Sequence, residues 1–234
     1  MVHSPSAMPH ERMRDAERTR GEILEVATAE FAEHGYSGAR VDDMADRMRT
    51  TKRMIYYYFG GKEQLYIAVL ERAYAQLRDA EQTLDVEHLD PVTAVRELSE
   101  LTFDHHERHP DFLRLVAIEN IHRAEHIAKS DVLTSMNTRA VDLIARILRR
   151  GQEQGIFRRD VDPLDVHMLI SAFCVFRVAN KHTFKAIFGR DLSERSRRPH
   201  YRKMLGDVVV AYLTTAAEPI SRTRRTTSRT PAQS

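Results

Sequence analysis

The sequence predicts an all-α protein of about nine helices: a three-helix N-terminal head containing a helix-turn-helix, then a larger C-terminal helical body. Three observations carry that reading. Apolar residues recur at three- and four-residue spacing in most segments, the period of one helix face. No stretch alternates strictly between apolar and polar residues as a half-buried strand would. The 9 Gly and 8 Pro fall mostly between the periodic segments, where they end one helix or start the next. Length and composition agree, since 234 residues with 42% hydrophobic and 30% charged content can build a globular core of one or two domains.

Residues 1–16 mix Pro, Ser, His and alternating charge without an apolar stripe, and are expected to form a mobile arm. A first helix is expected from about Thr19. Thr19 and Glu22 have capping-box spacing, and Ile23, Leu24, Ala27 and Phe31 follow on one face. Gly35 stands where a left-handed residue closes a helix. Val41, Met44, Ala45 and Met48 make a short second helix. Thr51 is placed to cap a third, which carries Lys52, Arg53, Met54, Tyr56, Tyr57 and Tyr58 and ends at Gly60-Gly61. The head is expected to occupy residues 17–77.

A fourth helix starts at Lys62 and reaches about Leu84, burying Leu65, Ala68, Val69, Ala73 and Leu77. Asp90-Pro91 starts a fifth that runs to His109, because proline suits the first helical position. Pro110 opens a sixth, expected to reach His126 and to bury Phe112, Leu115, Val116 and Ile118. The seventh spans Ser130 to Arg150 with Val132 on its apolar stripe, and Gly151 and Gly155 are expected to break it. Asp162-Pro163 starts an eighth, expected to run to about Phe188. It is apolar on more than one face, so one side suits the chain's own core and the other a second subunit. A ninth covers Pro199 to Thr215. The body thus occupies residues 78–217, and the Thr-, Ser- and Arg-rich tail 218–234 is disordered by composition.

The net charge of +2 does not announce a nucleic-acid partner, but its distribution does. From Arg47 to Lys62 there are five Lys or Arg and no Asp or Glu. A short basic, hydroxyl-bearing helix after another short helix is the composition of a DNA-reading pair. Ile23, Ala27, Phe31, Gly35-Tyr36, Val41, Met44-Ala45, Ile55-Tyr56, Tyr58-Phe59, Gly61-Lys62-Glu63 and Leu65 stand in the order and spacing of the TetR/AcrR family of bacterial regulators, which this stretch of the chain resembles. The runs IENIHRAEHIAKSD and SAFCVFRVANKHTF are similar to the subgroup that includes repressors of nicotinate-type aromatic-acid catabolism. Two residues depart from the family pattern. Arg49 occupies a turn position that is usually glycine and must tolerate a positive φ or use another turn. Arg40 replaces a small hydroxyl cap. Both add positive charge to the DNA face and are read as phosphate contacts.

The resemblance implies a sequence-specific DNA-binding regulator, a repressor released from a palindromic duplex operator by a small-molecule effector. It also implies a homodimer through the last two long helices and an effector-binding body. Lys52 and Arg53, at the start of the third helix, are expected to read guanine edges, and Met54 a thymine methyl. Arg40, Thr51, Tyr56, Tyr58 and Lys62 suit phosphates, as the family's equivalents of the tyrosine and lysine positions do. Tyr57 joins the DNA-facing set, although Tyr57 and Tyr58 can equally pack the head. Arg12, Arg14, Arg18 and the tail's Arg222, Arg224, Arg225 and Arg229 can brush DNA nonspecifically. Phe103, His106, Glu119, Asn120, Phe173, Arg177 and Asn180 are candidates for the effector lining, as polar or aromatic interruptions of apolar stretches. Arg177 suits a carboxylate, with an aromatic carboxylic acid the expected effector, or else an internal pair with Glu119 or Asp104.

Other classes fit less well. The HHERH run from His105 to His109 lacks HExxH order, and no nucleophile elbow or phosphate loop is present, so no enzyme and no cofactor are expected. His122 and His126 have helical metal-ligand spacing but no third ligand nearby in sequence. A transcriptional activator of the same fold is the main alternative and a metal-binding helical enzyme a lesser one. Cys174 is the single cysteine, which suits a reducing cytoplasm. No apolar run reaches the ~18 residues of a membrane span, so a cytoplasmic protein without a membrane partner is expected.

Overall fold

The computed structural model describes residues 9–215, and these are helical almost throughout. Ten α-helices follow one another: α1 Pro9–Gly38, α2 Val41–Arg47, α3 Lys52–Phe59, α4 Lys62–Gln82, α5 Pro91–Arg108, α6 Pro110–Ile121, α7 Asp131–Glu153, α8 Pro163–Ala179, α9 Lys181–Phe188 and α10 Arg198–Thr214. Short 3-10 turns at Ile127–Lys129 and Arg195–Arg197 precede α7 and α10.

Local signals set most of these boundaries. Asp90 caps α5 by accepting from Val92 N–H and Thr93 N–H, and Asp162 caps α8 by accepting from Leu164 N–H. Ser130 caps α7 at Leu133 N–H. Gly35 kinks α1 with φ 70°, and Gly155 follows α7 with the same φ.

The structure departs from the sequence expectations at several points. The first helix starts at Pro9 rather than Thr19; residues 9–16 are its opening turns, and only 1–8 of the expected arm lie outside the described residues. Thr19 sits mid-helix and its hydroxyl donates to the Asp15 carbonyl, so no capping box forms. α6 ends at Ile121, not His126, because Arg123 and Ala124 take left-handed φ values of 58° and 59°. Ala68 of α4 and Val116 and Ile118 of α6 are only half-buried. Gly151 does not break α7: it is buried within the helix where a Cβ would lie 2.1 Å from the Phe157 ring. Val132 faces solvent. The long eighth helix is two, α8 and α9, interrupted at Asn180, which accounts for ten helices instead of nine. The tail arginines from Arg222 on lie outside the described residues.

Two apolar cores result. One joins Ile23, Ala27, Phe31, Met44, Ile55 and Phe59 of the head to Leu65, Tyr66 and Leu70 of α4, and continues into Phe112, Leu115 and Leu133 of the body. The other packs α5, α7, α8 and α10 around Val95, Leu98, Phe103, Ile147, Ile170 and Leu205. Ion pairs clamp α10 to α5: Arg96 meets Asp207 at 2.8 Å, Arg198 meets Asp104 at 2.7 Å, and Arg202 meets Glu100. The head is therefore not a separate bead. Its core runs without interruption into α6 and the start of α7, so a displacement of α4 is felt by both ends of the molecule.

Candidate nucleic-acid interface and effector cavity

The turn between α2 and α3 spans Met48 to Thr51. It closes through Thr50 N–H, which donates to the Ala45 carbonyl at 2.9 Å, and through Arg49 in the left-handed region at φ 54°. Thr51 then caps α3 by accepting from Met54 N–H at 3.3 Å. Ile55 and Phe59 are buried and fix the rotation of the helix, so the opposite face points outward.

That outward face carries Lys52, Arg53, Met54 and Tyr57, all exposed. Tyr57 is 80% exposed and does not pack the head; Tyr56 and Tyr58 lie half-buried against it. Lys52 Nζ meets Asp42 Oδ2 at 3.1 Å, a hydrogen bond that raises its pKa, and lies 5.9 Å from the Tyr56 ring. Arg40 precedes α2 with its side chain exposed and its N–H donating to Glu30 Oε1. Lys62 opens α4 but is only partly exposed. Its ammonium lies 5.0 Å over the Tyr36 ring, and burial lowers its pKa. The face thus gathers Thr51, Lys52, Arg53, Met54 and Tyr57 on one short helix, with Arg40 and Arg49 beside it. Such a surface offers bidentate donors for base edges and cations for phosphates.

Behind the head lies a polar junction. The buried Glu119 carboxylate accepts from the backbone N–H of His126 and Ile127, each at 3.1 Å, and bonds the His126 ring at 3.0 Å. That ring lies 4.3 Å from Tyr36 and 4.9 Å from Tyr66, centroid to centroid. Burial pushes the Tyr66 hydroxyl pKa up, and the Glu119 charge adds to it. Lys129 pairs with Glu63 at 2.5 Å, and the Ser130 hydroxyl donates to Glu71 at 2.7 Å. The turn after α6 is therefore tied to α4 along several residues.

A cavity of about 180 Å³ opens between α4, α5, α6, α7 and α8. Tyr74, Leu77, Leu98, Phe112 and Ile170 supply its apolar walls, and Arg78, Glu81, His106, Asn137, His167 and Ser171 its polar points. His106 Nδ1 donates to the Thr102 carbonyl at 2.8 Å, so its proton sits there and Nε2 is the acceptor. Burial pushes the His106 pKa down to about 4 and lowers that of His167, keeping both rings neutral.

Of the residues singled out from sequence for the effector, His106 lines this cavity. The others are dispersed. Phe103 is buried under the Arg177 guanidinium, 4.1 Å away. Arg177 pairs with Glu107 at 3.1 Å rather than with Glu119 or Asp104, and donates to the Leu192 carbonyl. Glu119 belongs to the head–body junction. Asn120 is exposed and donates to the Val116 carbonyl. Phe173 packs in the body core, and Asn180 separates α8 from α9. Arg78 and Glu81 were missed, although Glu81 follows Leu77 by four residues and so continues the buried stripe of α4.

The histidines at helical spacing have separate surroundings among the described residues. His122 is exposed while His126 is held by Glu119, and His105 stacks on His109 at 4.3 Å. Among the described residues no three His, Cys, Asp or Glu side chains are grouped to hold a metal. Cys174 is buried, with its thiol pushed up to about 12.

Comparison with known proteins places both halves of the chain. Residues 23–69 match the pattern described as bacterial regulatory proteins, tetR family, and residues 91–209 match a tetracyclin repressor-like C-terminal domain. The HTH-type transcriptional repressor NicS of Pseudomonas putida is 35% identical over 199 residues, covering 85% of this chain and 94% of NicS. The HTH-type transcriptional activator FasR of Mycolicibacterium smegmatis is 34% identical over 130 residues, 54% of this chain and 59% of FasR. A transcriptional regulator of known structure from Streptomyces coelicolor superposes with a TM-score of 0.62 at 30% identity, covering 81% of this chain and 97% of that one.

Proposed function

Since this chain belongs to the TetR family of bacterial regulators, we propose that it is a transcriptional repressor that binds a palindromic DNA operator as a homodimer and leaves it when a small molecule enters the body cavity. The single observation that carries this reading is α3: a capped, basic, outward-facing helix held by buried Ile55 and Phe59. Lys52 and Arg53 read guanine O6 and N7, and Met54 packs on a thymine methyl. Arg40, Arg49, Thr51, Tyr56, Tyr57, Tyr58 and Lys62 set the register on phosphates. For Lys52 to do so it exchanges Asp42 for DNA, and Lys62 turns from Tyr36.

Dimerisation uses α8 and α10, the last two long helices. Leu164, Met168 and Phe176 on α8 and Met204 and Val208 on α10 are large apolar side chains left exposed in the single chain, which supports this face. Release works through α4. Its 21 residues span roughly 32 Å at 1.5 Å per residue, with Lys62 at the DNA end and Tyr74, Arg78 and Glu81 in the cavity. A ligand that shifts the cavity end changes the separation of the two α3 helices in the dimer and weakens operator binding. An aromatic carboxylic acid is the proposed effector class, supported by the Tyr74 and Phe112 walls. No helix among the described residues is long and apolar enough to cross a membrane, and the proposed place of action is the cytoplasm.

A reporter gene tests this reading. An operator selected by the chain from random duplexes is placed just downstream of a promoter. Expression falls when the wild-type chain is supplied, and stays unchanged with Lys52→Ala/Arg53→Ala. A rise in expression with the operator upstream, and no fall with it downstream, marks the activator instead.

A further inference from the structure

Arg78 and Glu81, near the C-terminal end of α4, form an ion pair at 2.9 Å with side chains 5% and 9% exposed. The pair is poorly made. The Arg78 Nη1–H does not point along the contact, so neither Nη1 nor Nε donates a hydrogen bond to any protein acceptor. A buried guanidinium with unfilled N–H groups is costly, and a planar carboxylate answers its fork in a way Glu81, on the same helix one turn away, does not. Both residues line the cavity, beside Tyr74 and Phe112. Its volume of about 180 Å³ suits one ring, since an apolar cavity of roughly 150 Å³ holds benzene.

We propose that Arg78 anchors the carboxylate of a small ring-bearing acid by exchanging partners: the ligand takes the guanidinium, and the released Glu81 carboxylate takes up one proton from solvent. This rests on the reading of the chain as a ligand-released regulator. Charge balance is kept, because one anion and one proton enter together and the cavity gains no net charge.

Glu81 is the group suited to take that proton. Burial already raises its pKa to about 7 against the lowering effect of Arg78, and engaging Arg78 elsewhere raises it further. The other groups facing it are Tyr74 on α4, His106 on α5, His167 on α8, and Arg139, Asp142 and Arg146 of α7 along an open depression on its outer side. Burial holds His106 at about 4 and lowers His167, so neither competes near neutrality. The free state ionises Glu81 above about pH 7 and the bound state does not. Affinity for a carboxylate therefore falls about tenfold per pH unit above 7 and is flat below it.

Calorimetric titration of the full chain with benzoate and with neutral benzamide, at pH 8 in buffers of different ionisation enthalpy, tests the proposal. Benzoate should bind at least tenfold more tightly than benzamide and take up about one proton. Glu81→Gln should bind benzoate roughly tenfold more tightly at pH 8, without proton uptake or pH dependence. Arg78→Met/Glu81→Met, which replaces the pair by apolar side chains and leaves no buried charge unpaired, should lose the preference for benzoate. Equal binding of the two probes, no binding of benzoate, proton uptake that persists in Glu81→Gln, or benzoate binding intact in the double variant overturns it. The same wild-type preparation is assayed on its selected operator without ligand. Failure there overturns the regulator reading, whereas failure with benzoate alone overturns only this proposal.

Discussion

At the scale of single residues, the DNA face divides into side chains held ready and side chains that must move. Lys52 and Lys62 illustrate the difference. On the proposed reading Lys52 leaves the exposed carboxylate of Asp42 and gains a base edge, so its contact would be specific to sequence. Lys62, at the start of α4 and over the Tyr36 ring, is proposed to meet a phosphate. Lys52→Ala is expected to lower operator affinity by about 1–3 kcal/mol while barely changing affinity for random duplex. Lys62→Ala should weaken both and reduce the slope of log K against log salt by about 1, as measured by fluorescence anisotropy across salt. Arg49 makes a second case. Its φ of 54° strains a residue with a Cβ, and a glycine there relieves the strain at some cost in chain entropy. Arg49→Gly should leave stability equal or up to about 1 kcal/mol higher, while shallowing the salt dependence of DNA binding. Unfolding in urea together with the anisotropy series checks both halves.

At the scale of elements, pH separates the buried groups. Burial depresses His105 to about 3 and His106 to about 4, so the unfolded chain binds their protons below about pH 6.5 when the fold does not. Their contribution to stability is present above 6.5 and is lost on acidification. Glu81, raised to about 7, acts oppositely: between about pH 4.5 and 7 the fold holds a proton that the unfolded chain releases. Stability should therefore fall from pH 6.5 to 5, and Glu81→Gln should steepen the fall by about one proton, roughly 1.4 kcal/mol per pH unit. Urea midpoints across that range read the effect; an unchanged slope in Glu81→Gln would mean that Glu81 titrates normally. The same elements show what a sequence can reveal. The starts of α5, α7 and α8 were legible because Asp90, Ser130 and Asp162 act within three residues of themselves. The start of α1 was not, since Thr19 and Glu22 imitate a cap inside a helix. Nor was the break at Asn180, because Phe184, Ile187 and Phe188 continue the apolar period beyond it. The outward basic face of α3 was readable because its residues lie within one short stretch. The cavity was not: Arg78 and Glu81 meet His106 and His167 only through the packing of three helices, and Arg177 looked like an anchor until Glu107 was found beside it.

For the whole molecule, the exposed apolar faces of α8 and α10 and the basic face of α3 are proposed to belong to one arrangement. In the proposed dimer, two copies joined through α8 and α10 would carry two α3 helices, and each head would raise the effective concentration of the other on a two-half-site operator. Met168→Glu, on a side chain 64% exposed in the single chain, is expected to shift the protein to monomer in sedimentation velocity. Operator affinity should fall with it, although α3 is untouched. A dimer that survives this change would move the interface elsewhere. Above all, the chain is proposed to read DNA by sequence. The most direct measurement is selection from random duplexes by the full wild-type chain, followed by anisotropy on the selected site and on scrambled duplex at equal salt. The expected result is a palindromic site with half-sites about one or two helical turns apart, bound at least ~10³-fold more tightly than scrambled DNA. Selection that enriches no site, or affinities for the two duplexes that agree within a few fold across salt, would contradict it.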